Sequence, residues 1–223
     1  NKIMALNKLP FGSFNVTPSA STAIRFNSDA DGFETASAGG SLVKIATTTA
    51  SDAASIEFVH GTSSVVLDST YKEYIFLINN MHPATDGQNL MFNLSADTGS
   101  NYNVTKTTTF FRTAHNEDGS SGTINYRTGE DLAQSTGEQR LNMGTNGSDA
   151  DSGSSGYLHL FDPSSTTFVK HFIARNSDAF DEPGAVDSYV AGYANTTSAV
   201  DGIRFKFGSG NIGSGTISLY GVS

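Results

Sequence analysis

The chain has 223 residues, a formal charge of -9, 37% hydrophobic residues, 23 glycines and no cysteine. That balance excludes disulfide staples and thiolate zinc sites, and it argues against a nucleic-acid backbone or an anionic membrane as partner. No apolar run approaches the roughly 20 residues a bilayer-spanning helix needs, so no membrane insertion is expected. In chain order, residues 1–41 read as an N-terminal arm or adaptor, punctuated by Pro10, Pro18 and Gly39-Gly40. Within it, Ala23–Asn27 and Phe33–Thr35 flank an Asp31-Gly32 turn, which predicts a small hairpin.

From Leu42 the pattern becomes that of strands. Candidates are Leu42–Thr48, Ser55–His60, Glu73–Asn80, Leu90–Ser95 and Tyr102–Arg112, then Tyr157–Phe161, Thr166–Arg175, Ser188–Ala194, Gly202–Phe207 and Thr216–Tyr220. Ile56 and Phe58 share one face with Glu57 opposite; Ile203, Phe205 and Phe207 repeat this against Arg204 and Lys206. Tyr74–Ile78 is apolar throughout, which predicts a central strand buried on both faces. Helical signals are weak, the best being Gly129–Glu138. The expected fold is therefore all-β: an antiparallel two-sheet β-sandwich, jelly-roll or concanavalin-like, over residues 42–223. Residues 114–156 break the pattern. They are rich in Gly, Ser, Asn and Asp, with a candidate strand at Thr123–Arg127, and they predict a long polar loop projecting from the sandwich.

Candidate chemistry is sparse. Asn27–Gly32 imitates the start of a calcium loop, but the twelfth position is Ala38 where an acidic residue is required, and Ser148–Asp151 lacks the glycine; both read as turns. The five histidines, His60, His82, His115, His159 and His171, form no metal-binding helical pair, and His159 is expected on the solvent side of its strand. Glu130-Asp131 and Asp181-Glu182 are neighbours in the chain, not a carboxylate pair set across a sugar, and no Gly-x-Ser-x-Gly elbow is present. No catalytic residue, cofactor or metal site is expected. Sugar stacking stays open through Tyr126, Tyr157, Tyr189 and Tyr193, the tyrosines expected at the surface, whereas most phenylalanines are expected in the core.

The segments Gly40–Ser51, Ala54–Phe58, Tyr71–Asp86, Leu160–Thr167, Thr197–Phe205 and Ser209–Val222 form a recognisable set of motifs. Together they resemble virion structural proteins of tailed bacteriophages, marine ones in particular. The resemblance implies a tail-fibre-type surface β-sandwich module on the virion surface, a homotrimer in the manner of fibre proteins, that contributes to host attachment and particle assembly. It would meet other virion proteins through residues 1–41, and a host-surface glycan is its candidate external partner. A capsid decoration or cement protein is the alternative within the structural class. A free carbohydrate-binding module or glycan hydrolase is the alternative outside it.

Overall fold

The computed structural model describes residues 22–26, 28–29, 31–37, 41–143, 146–179 and 184–223. The chain divides into two compact units between Ser41 and Leu42. In the first, β1 (Thr22–Phe26) and β2 (Phe33–Ser37) form an antiparallel hairpin in which Phe26 faces Phe33 across the strands. Their rings stack at 4.9 Å, and Arg25 pairs with Glu34 at 2.9 Å. The calcium-like stretch becomes the hairpin connection; its Asn27 and Ala30, with Ala38, lie outside the described residues.

The second unit is an antiparallel β-sandwich. Its strands are β3 (Leu42–Ala53), β4 (Ile56–Val59), β5 (Glu73–Pro83), β6 (Leu90–Ser95), β7 (Lys106–Asn116) and β8 (Gly122–Tyr126), then β9 (Gln139–Arg140), β10 (Gly153–Phe161), β11 (Lys170–Ala179), β12 (Gly184–Ala194), β13 (Gly202–Phe207) and β14 (Ile212–Val222). The large sheet runs β3-β14-β5-β10-β11-β12-β7-β8, and the small sheet runs β4-β13-β6-β9. Pairing is nested: β3 with β14, β4 with β13, β5 with β10 and β6 with β9. That nesting is jelly-roll winding. The remaining four strands, β11, β12, β7 and β8, extend the large sheet beyond it.

Aromatic side chains bind the two layers together. Phe58 of β4 and Phe205 of β13 meet Phe76 of β5 at 5.4 and 5.6 Å, and Phe92 of β6 meets Phe172 of β11 edge-on at 5.2 Å. The alternation follows from one-sided covering: β11 buries every second residue along its whole length. The expectation that Tyr74–Ile78 is buried on both faces is corrected. Tyr74, Phe76 and Ile78 are buried, but Ile75 and Leu77 are only half-buried, because the small sheet covers one face of β5 and not the other.

The projecting polar loop over 114–156 is also corrected. β7 runs on to Asn116, β8 forms the sheet edge, β9 joins the small sheet and β10 begins at Gly153. Gln139, Leu141, Asn142, Asn146, Ser152 and Ser154 are buried. The polar side chains among them fold inward because they satisfy buried groups. Asn142 Oδ1 accepts from Leu90 N at 2.8 Å, its Nδ2 donates to Asp178 at 3.0 Å, and Thr108 donates to Gln139 Oε1 at 2.6 Å. No helix forms over Gly129–Glu138; Ser135 instead exchanges backbone hydrogen bonds with Lys106.

Candidate functional site

The outer face of the large sheet has no second layer among the described residues of this unit, and its side chains form ordered rows. One row follows from the strand registers: Tyr126 of β8, Phe111 of β7, Tyr189 of β12, Arg175 of β11, Tyr157 of β10 and Leu77 of β5. In an antiparallel sheet such partners stand side by side on one face, within contact distance. Phe111 and Tyr189 stack at 4.6 Å with planes 3° apart, and the Arg175 guanidinium lies 5.0 Å above the Tyr189 ring. Phe111 remains 38% exposed and Tyr126 51%.

A fixed ion pair interrupts the aromatic row. Arg175 grips Asp187 with two nitrogens, Nη2 to Oδ2 at 2.6 Å and Nε to Oδ1 at 2.9 Å. Tyr189 donates its hydroxyl to the same carboxylate at 2.8 Å. The Arg175 bonds hold the Asp187 carboxyl below the usual carboxylate range and push the guanidinium up; the bond to Asp187 likewise raises the Tyr189 phenol. Both partners therefore stay charged while their geometry is locked, as bidentate pairing favours.

Beside the row lies a groove of about 390 Å³. Thr113, His115, Ser155, Tyr157, Arg175 and Asp187 are among its lining residues. It offers an aromatic wall, a rigid cation–anion pair and several hydroxyls on a flat strand platform. Rings with an apolar face and a polar rim fit such a surface.

Of the four tyrosines singled out in the sequence, Tyr126, Tyr157 and Tyr189 fall in this one row. Tyr193 sits on the same face four residues along β12, opposite Thr107 and His171, and is not in contact range of the ion pair by register. Phe111, Arg175 and Asp187 were not singled out. Phe111 is an exception to the expectation that most phenylalanines are internal. The in-phase spacing of Ile173 with Arg175 and of Asp187 with Tyr189 is readable along each strand, but their meeting depends on register between strands.

The other candidates do not assemble into a site. Glu130 pairs with Arg127 and Arg140, each at 3.4 Å, and Asp131 accepts from the Tyr126 hydroxyl at 2.5 Å. Asp181 and Glu182 lie outside the described residues. His159 is half-buried on the outer face, bonded through its ring to Glu73. Among the described residues no group of three or more histidines and carboxylates is placed to hold a metal. No protein-family profile, characterised protein or solved structure matches the chain.

Proposed function

We propose that this protein is a non-catalytic attachment module of a tailed-phage virion, displayed on the particle surface as a homotrimer and binding host-surface glycan through the outer face of its large sheet. The observation that supports binding is the row Tyr126–Phe111–Tyr189–Arg175–Tyr157, with the Arg175–Asp187 pair fixed in its middle. A sugar ring laid on Tyr157 would set its hydroxyls against a charged pair that needs no rearrangement to receive them. The single carboxylate lining the groove, Asp187, is committed to Arg175 and Tyr189, which suits recognition better than proton transfer.

The virion assignment rests on the resemblance of the motifs from Gly40 to Val222, and residues 1–41 are proposed to join the module to other virion proteins. Trimeric display suits a shallow site, since several weak contacts on one particle add up to firm adhesion. The test is a glycan array read with wild-type protein, Tyr157→Ala and Arg175→Ala. Wild type is expected to bind a defined glycan subset, and each variant to lose tenfold or more, about 1.4 kcal/mol. Equal binding by all three would move the site elsewhere, and measurable glycan turnover would overturn the non-catalytic claim.

A further inference from the structure

Lys106 opens β7 with its whole side chain buried. Its Nζ donates to Asn93 Oδ1 and to Val104 O, the latter at 2.8 Å, and neither oxygen carries a charge. A buried ammonium held only by neutral groups is expensive, and the amine escapes the cost by losing its proton. Burial accordingly lowers its pKa to about 8.

Its partner is held as firmly. Asn93 is 2% exposed, on the face of the small sheet turned away from the sandwich core. Its Oδ1 also accepts from Leu94 N at 2.9 Å, and its Nδ2 donates to Thr136 O at 3.0 Å. The carboxamide is thus fixed at both ends, with its carbonyl oxygen facing two donors. One of these is Lys106 Nζ, which is hydrogen-bonded to the oxygen carried by the carbon it would attack.

A carboxylate completes the group. β6 pairs Phe92 with Gln139 and Met91 with Arg140, which sets Glu138 opposite Asn93, and Arg204 of β13 is the partner of Asn93 on its other side. Glu138 and Arg204 pair at 2.6 Å, so their bridge reaches across Asn93. Glu138 Oε2 is buried and has no hydrogen-bond partner, and the Glu138 charge acts on Lys106.

We propose that Lys106 and Asn93 join in an intramolecular amide bond, with Glu138 carrying the proton. Neutral Lys106 Nζ attacks Asn93 Cγ, and the developing negative charge on Oδ1 is taken by Leu94 N–H, as in an oxyanion hole. Glu138 receives the proton from Nζ and delivers it to Nδ2. The Cγ–Nδ2 bond breaks, ammonia leaves and Glu138 is again a carboxylate. One amide replaces another, so no oxidant or reductant enters. The fixed geometry supplies the proximity that makes an amide, ordinarily inert to amines, reactive. The bond would tie β6 to β7 in a chain that has no cysteine for a disulfide.

Intact-mass measurement and peptide mapping test this. Folded wild type, incubated at pH 9, is expected to be lighter than its sequence by one ammonia, with a branched tryptic peptide joining Asn93 to an uncleaved Lys106. Lys106→Arg and Asn93→Ala should retain the full sequence mass, and Glu138→Gln should convert many-fold more slowly while still folded by circular dichroism. Wild type at full mass would overturn the proposal. So would an ammonia loss mapped elsewhere, such as a succinimide at Asn146-Gly147. A Glu138→Gln protein that converts at the wild-type rate would remove Glu138 from the step.

Discussion

Asp178 is 1% exposed on the inner face of β11, among the buried polar side chains of Asn142, Ser154 and Asn176. Asp178 Oδ1 accepts from Asn142 Nδ2 at 3.0 Å. Burial raises its carboxyl pKa to about 7 from an ordinary 3.8, with the Asp187 charge adding to the rise and the bonds from Ser154 and Asn142 opposing it. The folded chain therefore holds this proton more tightly than the unfolded chain does. The stabilisation is complete below the unfolded value, and it is withdrawn as pH climbs through the window from 3.8 to about 7. Asp178→Asn keeps the site neutral throughout. It is expected to be more stable than wild type at pH 8, by roughly 4 kcal/mol at the upper bound, with the difference closing toward pH 4. Urea unfolding of both proteins at pH 4, 6 and 8 measures this. A gap that stays constant with pH would mean that Asp178 is ionised in the fold.

Strands meet at glycine where a side chain from the neighbour needs the room. Gly192 of β12 lies between Thr108 and Phe172, and a Cβ there would come 2.5 Å from Thr107 O and 3.0 Å from Phe172 Cζ. Phe172 is the ring that reaches Phe92 in the facing sheet, so pushing it disturbs the contact between layers. Gly192→Ala is expected to cost about 1–3 kcal/mol by overpacking, seen as a lower urea midpoint at unchanged slope. An unchanged midpoint would show that β12 yields freely. Elements of this kind were legible in the sequence wherever hydrophobicity followed burial: Ile56 with Phe58, and Ile203 with Phe205 and Phe207, stand inside as their alternation predicts. The pattern failed where the interior is polar. Asn176, Asp178 and Ser188 line the inner face of the extended part of the large sheet, with Ser154 of the adjoining β10 beside them, so the segment that covers them is polar too and imitates a surface loop. The four tyrosines were legible as surface candidates, and three of them fall in one row across the large sheet. Their alignment with Phe111, Arg175 and Asp187 was not legible, because it is a property of register between strands distant in the chain.

At the scale of the whole molecule, the first strand of the sandwich pairs with the last. β14 stands between β3 and β5, with Ile217 opposite Thr48 on one side and Ile78 on the other. It buries Ile212, Ile217 and Leu219 completely. Each such side chain contributes about 1.5–3 kcal/mol, so three of them compare with the whole stability of an ordinary domain, about 5–15 kcal/mol. Removing residues 212–223 also leaves β3 without a partner and turns β5 into an edge. The truncated chain is therefore expected to lose cooperative unfolding altogether, not merely to melt sooner. Urea titration followed by circular dichroism should change from one sigmoidal transition to a shallow drift. The same nesting makes the full chain a slow folder, in milliseconds to seconds or longer, since its sheets close only through contacts between distant segments. Stopped-flow refolding measures that time. A truncated chain with a sharp transition and the wild-type slope would show that the jelly roll can close without its last strand.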